Sequence, residues 1–118
     1  MQEQNQVQDE RRLKSFLSLC RKAFKMVSGE SGCEKALRSG AAKVIIVCAD
    51  ASDNTIKKFS QKSYYYKTPF FTAFTKEELY LATGIANCSV IAVTDDSFAA
   101  EIIELLSVTE SKVNLCLK

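Results

Sequence analysis

The segment Ser28 to Arg38, reading S-G-E-S-G-C-E-K-A-L-R, holds the residues of this chain best suited to gripping a ligand. A glycine such as Gly29 lets backbone amides approach a ligand closely. The start of the helix expected after it presents N–H groups without intrahelical acceptors, together with a partial positive charge. Such an end suits an anion, and Glu30, Ser31 and Gly32 line it. Lys35 and Arg38, three residues apart, fall on one face of that helix, where they could hold a phosphate or the edge of a guanine. The same residues also read as a capped surface helix carrying two solvated cations.

A second candidate is the loop Gly84-Ile85-Ala86-Asn87-Cys88, between a helix end and a strand. Ile85 there would be a partly exposed apolar residue able to pack on an unstacked base, or simply on the edge of the core. The run Tyr64-Tyr65-Tyr66 could stack bases, but three consecutive tyrosines cannot share one face, so at least one belongs to the core. Cys33 near a helix start could have a depressed thiol pKa and sense oxidants, although Glu34 beside it works against the thiolate. The carboxylate pairs Glu77-Glu78 and Asp95-Asp96 flank helix starts, where capping accounts for them.

The chain has no histidine, which removes the commonest general base and the commonest neutral metal ligand and argues against an enzyme. Its five cysteines, Cys20, Cys33, Cys48, Cys88 and Cys116, have neither zinc-site nor disulfide spacing and read as reduced thiols. No metal or cofactor is expected. With 118 residues, 47% of them hydrophobic and 25% charged, the chain is of ordinary globular composition and long enough for one core. No apolar run approaches the roughly 20 residues that span a bilayer, and Met1 to Asp9 is Gln-rich and polar, so the expected location is the cytoplasm. The net charge of +2 hides an asymmetry: residues 1–62 carry 12 Lys/Arg and 7 Asp/Glu, residues 63–118 carry 4 and 7. If folding preserves it, one face offers a positive field suited to RNA; the alternative is lysines that only solvate helices.

These candidates need elements to hold them. After a flexible polar tail, residues 1–9, a single domain is expected over 10–118. Leu13, Phe16, Leu17, Cys20 and Phe24 recur at helical spacing. Ser28-Gly29 breaks that pattern, and Ser31 with Glu34 has the spacing of a capping box opening a helix through Ser39, closed by Gly40. Lys43 to Ala49 is an apolar, β-branched run fit for a central strand. Asp50 to Asp53 reads as a turn, and Asn54 to Tyr66 as a helix with Ile56, Phe59 and Ser63 on one side, ended by Pro69. Phe70 to Phe74 reads as a strand, Thr75 and Glu78 open a helix that stops at Gly84, and Ser89 to Thr94 is a further strand. A last helix runs from Ser97 to Leu106 with Phe98, Ile102 and Leu105 inward, and Val113 to Leu117 could add an edge strand. Strands alternating with helices predict an α/β fold, a three-layer α-β-α sandwich around a mixed sheet of about four strands.

Several of these strings occur together in one known family. Arg21-Lys22-Ala23, Val27-Ser28-Gly29-Glu30, Lys35-Ala36-Leu37-Arg38-Ser39-Gly40, Ala42-Lys43-Val44-Ile45-Ile46 and Asp50-Ala51-Ser52-Asp53-Asn54-Thr55 resemble the short bacterial YlxQ-like branch of the L-seven-Ae ribosomal protein family. The resemblance spans about Leu13 to Leu106. It implies the three-layer sandwich and a non-catalytic RNA-binding protein that recognises kink-turns, RNA helices bent sharply at tandem sheared G·A pairs. By position, Lys35 matches the lysine that contacts guanine and Gly29 the loop glycine. Ile85, Ala86 and Asn87 fall in the apolar loop that covers an extruded base, while Ser52 and Ile56 match the turn that flanks it.

The chain also departs from that pattern. Ser31-Gly32 stands where kink-turn binders carry Asn-Glu or Lys-Gln, which removes side-chain hydrogen bonds to the G·A edges. Asn87 replaces a residue that is often basic, and Phe24 stands where the bacterial branch usually has glycine. The expected partner is structured RNA, a kink-turn in ribosomal RNA or the ribosome among the choices, with no membrane and no small-molecule substrate. The alternative is a protein-interaction module on the same fold that has shed kink-turn binding.

Overall fold

A computed structural model describes the backbone of residues 2–113 and the side chains of residues 11–107. The elements in chain order are α1 (Gln2–Lys22), β1 (Met26–Ser28), α2 (Glu30–Ser39), β2 (Val44–Val47), α3 (Asp53–Tyr65), β3 (Phe70–Thr72), α4 (Lys76–Thr83), β4 (Val90–Val93) and α5 (Asp96–Val113). The strands lie in the order β1-β4-β2-β3. β2 and β3 are parallel, and β4 is antiparallel to both β1 and β2, so the sheet is mixed.

Every residue of β2 and β4 is buried, as expected for strands apolar on both faces. Alternate side chains serve two separate cores. Val44, Ile46, Ile91 and Val93 pack with Leu13 and Leu17 of α1, Leu79 of α4, and Ile102 and Leu106 of α5. Ile45, Val47, Val90 and Ala92 pack with Cys33 and Leu37 of α2 and Phe59 of α3. The result is the three-layer α-β-α sandwich.

The ends of the elements differ from the sequence expectations in ways that have local causes. Residues 2–9, expected as a flexible tail, continue α1; no glycine or proline interrupts Gln2 to Lys22, and Gln, Glu and Arg are good helix formers. Phe24, expected on the inward stripe, is 85% exposed. α1 ends before it because the Lys25 N–H donates to the Cys20 carbonyl at 2.9 Å and the Phe24 N–H to that of Arg21 at 3.1 Å, and the Thr94 N–H then binds the Lys25 carbonyl at 2.9 Å. That last bond draws the chain into β1, a three-residue strand too short to stand out in the sequence. Of the strand expected over Val113 to Leu117, Val113 ends α5 instead, and the rest lies outside the described residues.

The expected capping box at Ser31 and Glu34 is absent. Gly29, at φ 88°, is the cap residue of α2 and no side chain caps it. Its N–H donates to the Val90 carbonyl and its carbonyl accepts from the Cys33 N–H, both at 3.0 Å, so the helix starts two residues earlier and Ser31 lies within the first turn. The Thr75–Glu78 capping box of α4 is formed reciprocally. Gly40 and Gly84 both close their helices at φ 80°.

Glu34 is drawn instead to Lys58, which pairs with both Glu34 and Glu30 and so bridges α2 to α3. The Glu30 carboxylate also accepts from the Thr55 hydroxyl at 3.0 Å; Thr55 Oγ1 accepts from the Ser52 hydroxyl at 3.0 Å, and Ser52 Oγ accepts from the Thr55 N–H at 3.2 Å. The hydrogen bond from Lys58 holds the Glu34 pKa below its ordinary 4.5, with Lys62 and Arg38 adding to the effect. Packing of β1 against α2 is equally close: a Cβ on Gly32 would stand 2.6 Å from Val27 Cγ1.

Two outcomes follow for stability. A carboxylate with a depressed pKa stabilises the fold above its unfolded value, and that contribution fades as pH falls through the folded value. In urea titrations Glu34→Gln should therefore be less stable than the parent at pH 7, with the gap closing below the ordinary 4.5; a gap independent of pH contradicts the pairing. Gly32→Ala gains about 1 kcal/mol of helix propensity but meets a β-branched, half-buried valine, where overpacking costs about 1–3 kcal/mol. A net loss of about 1 kcal/mol is expected; a variant as stable as the parent shows that Val27 yields freely.

Candidate nucleic-acid interface

The sheet ends in four loops that meet at one pole. They are Gly29 between β1 and α2, Cys48–Ser52 between β2 and α3, Ala73–Thr75 between β3 and α4, and Gly84–Ser89 between α4 and β4. Backbone hydrogen bonds tie them together: Gly29 N–H to the Val90 carbonyl at 3.0 Å, Cys48 N–H to that of Ser89 at 2.8 Å, and Ala49 N–H to that of Phe74 at 2.7 Å. The Lys76 N–H adds a bond to the Asp50 carboxylate at 3.0 Å.

The start of α2 is the open end at this pole. Side-chain oxygens cap α3 (Ser52), α4 (Thr75) and α5 (Asp95), but α2 has none. The amides of its first turn, on Glu30, Ser31 and Gly32, consequently keep their donors for a ligand. Glu30 would oppose an anion there, and Lys58 offsets its charge at 3.2 Å. Lys35 and Arg38 are exposed on the outer side of α2. Neither forms an ion pair among the described residues, although Arg38 lies within electrostatic reach of Glu34. Lys58 and Lys62, from α3, join them around Glu34. The positive half of the sequence is thus partly gathered on the α2–α3 face.

Ser52 and Ile56 sit at the start of α3, which the Glu30–Thr55 hydrogen bond holds beside the start of α2. The Ser52 side chain is engaged in capping, and Ile56 is half-buried against the core. In the loop between α4 and β4 Ile85 is half-buried against the other core, while Ala86 and Asn87 are exposed. Asn87 takes φ 55°, a left-handed conformation that asparagine tolerates better than most residues. Between this loop and α4 lies a shallow cavity of about 270 Å³ lined by Lys76, Glu77, Tyr80, Ala86 and Asn87.

The pole therefore brings Gly29 to Gly32, Ser52, Ile56 and the Ile85 loop to one end of the sheet, while Lys35 and Arg38 extend from it along α2, Arg38 in the last turn. Sequence reading missed Lys58, Lys62 and Thr55; a lysine at helical spacing looks like any solvated cation until the partner helix is placed. The tyrosine run lies away from this pole, at the C-terminal end of α3. Tyr64 and Tyr65 are exposed there and Tyr66 packs on the core.

Cys20, Cys33, Cys48 and Cys88 are buried free thiols; Cys116 lies outside the described residues. Burial, reinforced by Cys88 and Glu30, pushes the Cys33 thiol up to about 12, the reverse of what a redox sensor requires. Among the described residues there is no group of three or more His, Cys, Asp or Glu that could hold a metal ion, and no helix long and apolar enough to cross a membrane.

This arrangement has close counterparts in known proteins. Residues 11–103 match the ribosomal protein L7Ae/L30e/S12e/Gadd45 family. The RNA-binding protein YlxQ of Bacillus subtilis (strain 168) is 40% identical over 91 residues, covering 77% of this chain and 91% of that protein. Its namesake from Enterococcus faecium is 34% identical over 92 residues, covering 78% and 88%. Among solved structures, a protein of unknown function from Bacillus halodurans superposes with a TM-score of 0.78 at 28% identity, covering 80% of this chain and 96% of the other. The Giardia lamblia 15.5kD RNA binding protein shares the fold at a TM-score of 0.71 and 17% identity, covering 90% and 91%. With the sandwich, the order of its elements and these matches in agreement, the chain belongs to the ribosomal protein L7Ae/L30e/S12e/Gadd45 family, in its YlxQ-like branch.

Proposed function

We propose that this chain is a ribosome-associated RNA-binding protein of the cytoplasm that recognises a kink-turn or a similarly bent structured RNA, ribosomal RNA being the source that its family suggests. Its function is binding, since the family is non-catalytic. The observation that carries the reading is the uncapped start of α2 at the pole where four loops converge, with exposed Lys35 and Arg38 following along the same helix. The RNA-binding names of its relatives point the same way.

In this reading the first-turn amides of α2 take a backbone phosphate, Lys35 takes the edge of a guanine, and Arg38 takes a further phosphate along the helix. Gly29 permits the close approach. Ile85 and Ala86 pack on a base turned out of its stack, with Asn87 at the rim and Ser52 and Ile56 opposite. Gly32 has no side chain to offer the G·A pairs, and a Cβ there would meet Val27, so recognition depends more heavily on Lys35.

The test is a titration of a fluorescent kink-turn RNA against the same RNA with its G·A pairs replaced by Watson-Crick pairs. The intact kink-turn should bind more tightly. A direct base contact is worth about 1–3 kcal/mol, so Lys35→Ala should weaken binding about tenfold, whereas Lys118→Ala, a loss of equal charge at the other end of the sequence, should change it little. Equal binding of both RNAs, or equal loss in both variants, reduces the interaction to charge attraction. Absence of binding favours a protein partner.

A further inference from the structure

Phe24 combines three properties that rarely occur together. Its backbone is left-handed at φ 60°, its side chain is 85% exposed, and it is flanked by the exposed cations Arg21, Lys22 and Lys25. The two hydrogen bonds that end α1, from Lys25 N–H to Cys20 and from Phe24 N–H to Arg21, form a Schellman turn with Phe24 at the position that glycine usually takes, because a Cβ is strained there. Two other bulky residues of this chain accept the same strain on different terms. Phe74, at φ 68°, recovers it by packing on the core. Lys67, at φ 57°, holds a solvated ammonium out in water. Phe24 has neither burial nor charge to offset the strain.

We propose that Phe24 is a stacking platform for an unpaired base of single-stranded nucleic acid, with Arg21, Lys22 and Lys25 holding the adjoining phosphates. The turn fixes the ring outward, which keeps it from collapsing onto its own domain. None of the three cations is in an ion pair among the described residues. Of the carboxylates next to Thr94 in the chain, Asp95 accepts from the Phe98 N–H at 3.0 Å and Asp96 lies 3.9 Å from the Lys43 ammonium, and neither pairs with these three cations. Cations without an ion-pair partner around one exposed ring match the chemistry of single-strand binding, in which stacking tolerates any base and cations track the backbone. A protein partner would instead call for an apolar surface around the ring.

The platform stands apart from the interface at Gly29. β1 separates them, running from Met26, paired with Val93, to Ser28, paired with Ile91. The site therefore stands or falls independently of kink-turn recognition.

The probe is a fluorescein-labelled ten-nucleotide oligouridylate, compared by anisotropy with an abasic chain of the same length and charge. The parent should bind the oligouridylate more tightly. Phe24→Gly suits the left-handed turn, so its thermal midpoint should rise while its affinity falls about fivefold or more, to the level of the abasic chain. Phe24→Tyr should retain binding, and Lys57→Ala, which removes an exposed lysine of α3, should leave it unchanged. Equal affinity for the two probes, an unaltered Phe24→Gly, or no binding of the oligouridylate each overturns the proposal, the last transferring the exposed ring to a protein contact.

Discussion

The central constraint of this protein is that β2 and β4 are apolar on both faces. Val44 to Val47 and Val90 to Val93 cannot leave either face to water, so helices must cover both. Their antiparallel pairing aligns Ile46 with Ile91 and Ile45 with Ala92. This divides the core into an α1–α4–α5 side and an α2–α3 side. A shift of one residue would exchange the two sets of side chains and disrupt both packings. With both faces sealed, neither face of the sheet is open to a ligand, and the loops at its ends are left to take one.

The loops at one end acquire their character from that arrangement. Gly29 is held to Val90 because β1 lies beside β4, and this bond sets where α2 begins and leaves its first turn uncapped. The bridge from Lys58 to Glu30 and Glu34 then places α3 beside α2. Its value at the surface is positional more than energetic, since exposed ion pairs contribute little to stability. It offsets part of the charge of two carboxylates that would weaken the positive field, and Lys35, Arg38 and Lys62 outweigh the remainder on that face.

The features legible in the sequence were those with strong local causes. The β-branched run around Val44 to Val47 announced a central strand. The Thr75–Glu78 spacing announced a helix start, and Gly40 and Gly84 announced helix ends. The same spacing at Ser31 and Glu34 misled, because the Gly29–Val90 hydrogen bond is a contact between distant segments that local patterning does not contain. Phe24 misled for a similar reason: helical periodicity continues through it, yet the Thr94–Lys25 bond stops the helix. β1 was invisible because three residues carry no period. At the site, Gly29, Lys35, Arg38 and the Ile85 loop could be named from residue type and family likeness. Lys58 and Thr55 could not, since their roles arise only when α3 is laid against α2.

The most direct test of the central claim is an amide chemical-shift map of the protein upon addition of a kink-turn RNA. The account predicts that the largest changes fall on the amides of Gly29 to Gly32, with a second group at Ile85 to Asn87, because the open turn of α2 and the apolar loop take the RNA together. Changes that instead follow exposed lysines evenly over the surface, or that spare the first turn of α2, would contradict it.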